Sequence, residues 1–245
     1  RLHSVNFSGA DLTGVSFVNV DVRGANFGGA ILIDLNVKDS DMSKSRFRGA
    51  NLTGVNLYNS NLELADFSGA NLSNVNFSGA ILKNVDFSGA NLSNANFIEA
   101  DLTEANLSKA DLHDAYFADA QLVATDFSEA DLRWADFSWA VLSEARFNEA
   151  NLLEADFTEA TLVAADFTLA NVTGANFEHA DLIDVRLNGV DLSQVLNLTP
   201  EQVESAEIDR ATQFPPYLEV TWEGPDNFKV NKVIEKKTKR KKVKK

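Results

Sequence analysis

The chain has 245 residues, a net charge of -14 and 44% hydrophobic residues, with three tryptophans, one methionine and no cysteine. The missing cysteine excludes disulfides and thiolate metal sites, and no run of 18 or more apolar residues is present to span a membrane as a helix. The charge is unevenly divided: residues 1–195 hold 28 acids and 11 bases, 196–228 hold seven acids and one base, and 229–245 hold ten bases and one acid, so an acidic body precedes a basic tail.

From residue 1 to about residue 195 the chain repeats every five residues without a slip in register. Asp86–Ala105 shows the unit: Asp-Phe-Ser-Gly-Ala, Asn-Leu-Ser-Asn-Ala, Asn-Phe-Ile-Glu-Ala, Asp-Leu-Thr-Glu-Ala. A five-residue step advances an α-helix by about 500°, or about 140° net, which scatters the Leu and Phe positions around its surface. In a straight strand the same odd step throws successive large residues onto opposite faces. The pattern is satisfied when the chain turns a corner every five residues and points one large apolar residue inward from each segment.

The 39 repeat centres, Leu2 to Leu192, carry a second period. Sorted by position modulo 20, two columns are aliphatic: Leu2, Val22, Met42, Leu62 onward, and Leu12, Leu32, Leu52 onward. The other two are mostly Phe: Phe7, Phe27, Phe47, Phe67, Phe87, Leu107, Phe127 onward, and Phe17, Val37, Leu57, Phe77, Phe97 onward. Alternation every ten residues demands an even number of sides. Four sides close a square coil with Phe opposite Phe and Leu opposite Leu. The position two before each centre is Ala in 25 of 38 cases, small enough for a second inward residue, so the interior is expected to be solid, with no channel or ligand pocket. Stacked at the roughly 4.8 Å spacing of strands, such coils make a rod about 45 Å long.

Ala-Asp-Leu-Thr-Glu at 100–104, Ala-Asn-Leu-Ser-Asn at 90–94 and Ala-Asp-Phe-Ser-Gly at 65–69 match an A(D/N)LXX signature, and through it the chain resembles the pentapeptide-repeat family over about four fifths of its length. The resemblance implies an all-β fold: a right-handed quadrilateral parallel β-helix, here of about ten 20-residue coils. The handedness comes from the resemblance alone. The uninterrupted array and its Thr-Pro-Glu-Gln cap look most like cyanobacterial or plastid members, which implies a soluble protein of a prokaryotic cytoplasm or of a plastid or thylakoid compartment.

In chain order, the first coils depart from the repeat at Val5, Val15, Val20, Leu35, Ser40 and Ser45, read as drift in a structural array. The chain opens at Arg1 in repeat register and without Met, which suggests a processed or trimmed product and an upstream cap, domain or partner over the first coil. One corner column reads Gly9, Gly29, Gly49, Gly69, Gly89 and then Lys109, Glu129, Glu149. Glycine suits the positive φ of a type II turn and Lys or Glu suits type I, so a switch of turn type is expected near residue 100.

From Glu99 to Glu159 the chain carries 15 acids against Lys109, Arg133 and Arg146. Within this acidic stretch Trp134 and Trp139 fall at consecutive corners and Tyr116 replaces the usual Asp or Asn. Exposed aromatics are typical interface anchors. The candidate interaction surface is therefore Trp134, Trp139 and Tyr116 with Glu104, Asp114, Asp119, Glu129, Glu154 and Glu159, against a solubilising coat as the plain alternative.

The register ends after Val195. Thr199, Pro200 and Gln202 form a capping-box sequence, which predicts a helix over 200–208 that lays Val203 over the last coil. The organisation expected is a repeat β-helix over 1–195, a cap over 196–216 and an extension over 217–245, with Tyr217–Trp222 and Phe228–Ile234 as a small hairpin. The final run, Glu235–Lys245, reads as disordered. Its Lys236, Lys237, Lys239, Arg240, Lys241 and Lys242 suit contact with an acidic protein surface, nucleic acid or anionic membrane, or with the acidic rod itself.

Catalysis needs convergent groups in a cleft. His3, His113 and His179 fall in different columns, and there is no Cys nucleophile or Gly-rich phosphate loop, so no catalytic, cofactor or metal residue is assigned and no small-molecule substrate is expected. Eight Asn-x-Ser/Thr sequons are by-products of the repeat, and the Asp columns lack the Gly-rich loop of a calcium site. The sequence thus points to a non-enzymatic scaffold with a protein partner, either free-standing or a component of a larger assembly tethered by the tail. The resemblance supplies one alternative, a DNA-mimicking rod that occupies the DNA saddle of a type II topoisomerase such as gyrase. The acidic body suits it, while the basic tail and polar extension oppose it.

Overall fold

A computed structural model describes residues 3–18, 20–35, 37, 40–225 and 227–233. The tail residues Lys236, Lys237, Lys239, Arg240, Lys241 and Lys242, and Ile234 of the expected hairpin, lie outside them.

The chain pairs with itself one period later. Asn6 bridges Asn26, Asn26 bridges Arg46, and the same parallel pairing of residues 20 apart runs to Asn176 and Leu196. Each bridge is held from both sides, as where Phe27 N donates to Arg46 O at 2.7 Å and Arg46 N to Ala25 O at 2.9 Å. Between paired residues the chain turns every five residues, closing each turn with a bond such as Ala50 N to Phe47 O at 2.9 Å. Because a bridge holds only one residue per segment, regular strand is sparse although the whole array is a β-ladder.

Inside, Phe27, Phe47, Phe67 and Phe87 stack face to face at 4.4–5.1 Å, and Phe77, Phe97, Phe117, Phe137 and Phe157 do so at 4.8–5.0 Å. The two stacks meet edge to face, Phe137 against Phe127 at 5.6 Å and 84°. Aromatic pairs favour these two geometries. The Phe columns ten residues apart therefore face each other across the axis, and the Ala column fills the remaining inward positions at 8% exposure or less wherever it is buried. Polar departures in that column are satisfied: Ser45 Oγ donates to Val22 O at 3.1 Å, Ser60 Oγ to Val37 O at 2.8 Å and Thr125 Oγ1 to Leu102 O at 2.9 Å. At the amino-terminal end Phe7, Leu12 and Phe17 are only partly buried against this core.

The expected switch of turn type does not occur. Lys109, Glu129 and Glu149 hold φ of +59°, as Gly69 and Gly89 hold +63°. All keep the positive φ at the third turn residue that a type II turn requires. The ladder explains why: Glu129 N must donate to Asn148 O and Ala130 N to Phe127 O, and a flipped corner would break the pairing of that coil with the next. Among the described residues 26 non-glycines share this conformation, and none is Val, Ile or Thr. The ladder imposes left-handed backbone on residues that tolerate it and excludes the β-branched ones that do not.

After the last repeats comes α1, Pro200–Ser205, shorter than the 200–208 expected. Its capping box is formed: Thr199 Oγ1 accepts from Gln202 N at 3.3 Å and Gln202 Oε1 from Thr199 N at 2.8 Å. The helix stops because the ladder reclaims the chain. Glu207 N donates to Val185 O and Leu187 N donates to Glu207 O, both at 2.8 Å, and Glu207 bridges Arg186. Gln213 then bridges Asp191. Val203 is fully buried over the core, and Gln202 Nε2 donates to Phe177 O and Ala180 O at 2.8 and 2.9 Å, satisfying carbonyls at the end of the array. The hairpin forms from β1, Leu218–Trp222, and β2, Phe228–Lys232, paired antiparallel. It docks on α1, where Val230 N donates to Glu204 Oε1 at 3.1 Å. No helix among the described residues is long and apolar enough to cross a membrane.

Candidate interaction surface

Each segment offers three outward positions: the Asp/Asn before the centre, the Ser or Thr after it, and the corner with positive φ. The first is fixed by local chemistry. Asp126 Oδ1 accepts from Ser128 N at 3.0 Å and from Ser128 Oγ at 2.6 Å, and the same closure recurs at Asp66, Asn91, Asp156 and Asp166. This Asx turn is why the repeat carries Asp or Asn there. The letter is visible in the sequence; the turn it closes is visible only in the structure.

Trp134 and Trp139 stand at consecutive corners, with φ of +59° and +61°. Tyr116 bridges Asp136, placing it one period earlier on the segment between them. Asp114 and Glu154 share the column of Trp134, and Asp119 and Glu159 share that of Trp139. Seven of the nine residues expected to form a surface thus lie on one side and its two corners. Glu104 and Glu129 do not join them: they fall in different corner columns from Trp134 and Trp139.

The two tryptophans are not equivalent. Trp134 Nε1 donates to Glu154 Oε2 at 3.3 Å, and the Arg133 guanidinium lies over its ring at 5.2 Å. Trp139 is more exposed, 57% against 44%, and Tyr116 is 47% exposed. The three cations of this stretch are already engaged. Lys109 Nζ meets Glu129 Oε1 at 3.4 Å, Arg133 Nη2 meets Asp131 Oδ2 at 2.7 Å, and Arg146 Nη2 meets Asp126 Oδ2 at 2.9 Å. Burial opposes ionisation of Asp126, but the Ser128 hydrogen bonds and the Arg146 guanidinium outweigh it and hold the carboxyl below the usual range. At Asp131 burial is likewise outweighed, there by the Arg133 guanidinium. The surviving field is therefore that of the corner carboxylates Asp114, Asp119, Glu154 and Glu159, which lie outside these pairs.

A second feature escaped the sequence reading although the columns spell it out. On the segment after Trp139 the Asp/Asn column reads Asp101, Gln121, Val141, Thr161, Asp181, and the following outward column reads Thr103, Val123, Ser143, Val163, Ile183. Three consecutive circuits there carry no charge on either column.

Comparison with known proteins agrees with this architecture. A family model described as pentapeptide repeats matches residues 1–29, 30–69, 70–108, 135–174 and 162–196, and a second, for a pentapeptide repeat region, matches 90–152. No curated protein matches the chain. Among solved structures, QnrB1, a plasmid-mediated fluoroquinolone resistance protein, is 18% identical over 80% of this chain and 92% of its own, with a TM-score of 0.66. HetL, involved in heterocyst differentiation regulation in the cyanobacterium Nostoc sp. strain PCC 7120, is 27% identical over 87% of this chain and 88% of its own, with a TM-score of 0.42. A pentapeptide repeat protein from the Arabidopsis thaliana thylakoid lumen is 34% identical over 48% of this chain and 68% of its own, with a TM-score of 0.24.

Proposed function

As the chain belongs to the pentapeptide-repeat family, and with it to the right-handed β-helix fold, we propose that it is a non-enzymatic scaffold: a four-sided rod of about ten coils that presents one side to a protein partner. The observation that carries this reading is the gathering of Tyr116, Trp134 and Trp139 on one side, all 44% exposed or more, between the acidic corners Asp114 with Glu154 and Asp119 with Glu159. Large aromatics left in water cost solubility, and as rigid anchors ringed by charge they are what a protein interface uses. In this reading Glu104 contributes only long-range field, and Glu129, paired with Lys109, contributes little. The rod-and-cap division at residues 195 and 216, and attachment of the basic tail to a larger assembly, belong to the same proposal.

The test is affinity co-purification with the parent and with a Trp134→Ala/Trp139→Ala/Tyr116→Ala variant. Proteins that the parent retains at physiological salt and the variant loses support the reading, and identical sets of retained proteins refute it. Topoisomerase mimicry is not adopted, because 18% identity to QnrB1 supports a shared fold alone. Inhibition of gyrase supercoiling at micromolar protein would reinstate it.

A further inference from the structure

The uncharged side next to Trp139 stands out energetically. At Asp101 and Asp181 the carboxylate closes the Asx turn, onto Thr103 N at 3.2 Å and Ile183 N at 3.1 Å. Between them, Val141 has no acceptor to offer, and Gln121 and Thr161 make no such bond. Three successive circuits thus surrender the interaction that closes turns elsewhere in the array. Local rules are broken in this way where a surface is committed to something other than folding.

What replaces the lost bonds is apolar surface. Val123, Val141 and Val163 are only partly buried, and Ile183 is 48% exposed. The edges are acidic on both flanks. Asp119 and Glu159 bracket Trp139 along one corner, and Glu144 stands midway along the other with Glu104 and Asp184 beyond it. From the circuit of Val123 to that of Ile183 the strip rises three ladder steps, about 14 Å at roughly 4.8 Å each. An α-helix rises about 5.4 Å per turn, so about three turns laid along the rod place one apolar residue beside each circuit with little drift.

We propose that this side seats an amphipathic helix of about three turns from a partner protein, its apolar stripe on Val123, Val141, Val163 and Ile183 and its edges lined with Lys or Arg facing the acidic corners. Charge complementarity selects a basic partner, and the match of helical pitch to ladder spacing selects a helix over an extended strand. The seat is distinct from the Tyr116 side, so loss of Tyr116 leaves it intact.

The probe is a synthetic 14-residue Leu/Lys peptide with leucines at helical spacing, compared with a scrambled peptide of the same composition by calorimetry in about 150 mM salt. The parent is expected to bind the amphipathic peptide at least about tenfold more tightly than the scrambled one. A Val141→Asn/Val163→Ser variant, which restores the residue types of the repeat, is expected to lose about tenfold in affinity while melting no lower than the parent. Val163→Asp separates seat from field: it weakens an apolar seat although it adds attraction for lysine. Equal binding of both peptides, affinity of the restored variant within about threefold of the parent, or tighter binding by Val163→Asp overturns the proposal. So does self-association of the parent that the restored variant lacks, which assigns the side to a second copy.

Discussion

Glu149→Gly tests how the ladder governs the corners. Glu149 sits at φ +59°, and left-handed backbone costs a residue with a β-carbon about 1–2 kcal/mol. Glycine removes that cost but adds freedom to the unfolded chain worth about 0.5–1 kcal/mol. The net gain is about 0.5–1 kcal/mol, or about 1–4 °C in Tm for a chain of this size. Glu149→Val should move the other way by about 1 kcal/mol, because β-branching crowds the same conformation. In the opposite direction Gly69→Ala should cost about 1 kcal/mol through backbone alone, since nothing lies within 4 Å of the added Cβ. Gly174→Ala should cost more, because its Cβ would stand 3.0 Å from Glu154 Cγ. Scanning calorimetry of the four variants reads the series. If Glu149→Gly and Glu149→Val melt within about half a degree of each other, corner strain is not what the ladder imposes.

Phe137→Ala removes a ring stacked on Phe117 and Phe157 and set edge-on to Phe127 and Phe147, and should cost about 3–5 kcal/mol by chemical denaturation. Gln202→Ala opens the carboxy-terminal end by freeing the Phe177 and Ala180 carbonyls and half the capping box; amide exchange should rise in residues 177–206 and stay unchanged near Leu92. Acid should destabilise the array. At Asp101, Asp126, Asp131 and Asp166 burial opposes ionisation, but hydrogen bonds led by those from Thr103, Ser128, Arg133 and Thr168 outweigh it and lower each pKa. Carboxyls depressed in the folded state stabilise it fully above the unfolded value and lose that contribution as pH falls through the folded one. Tm should therefore be level from about pH 5 to 8 and fall below about pH 4, and a Tm that held or rose between about pH 4 and 2 would contradict the assignment.

The interior was readable because its constraint is periodic. A residue such as Phe97 repeats its environment at every twentieth position, so the Phe and Ala columns announced both the turns and the solid axis. Corners were harder. Lys109 after Gly89 looked like a change of turn, since single-residue preference favours negative φ for Lys; the ladder bonds of its neighbours decided otherwise, and those bonds are not written in any one residue. The helix ends earlier than its own sequence suggests for the same reason, because Glu207 is recruited by Val185 and Leu187, one circuit earlier in the ladder. Of the surface, the aromatics were conspicuous as exceptions, whereas the valine strip was overlooked because Val and Thr are ordinary letters and only their column makes them unusual.

The facing Phe columns set which rearrangements of the gene the protein can absorb. Removing 20 residues deletes one whole circuit and leaves every later residue under its old neighbours. Removing ten keeps aromatic rings against aromatic rings, because the two Phe columns merely exchange places, yet it carries everything downstream half a period round the axis. A ten-residue loss between Tyr116 and Trp134 would leave the interior matched and part the tyrosine from both tryptophans. Core and surface thus count in different units, and duplication can lengthen the rod safely only in the longer one.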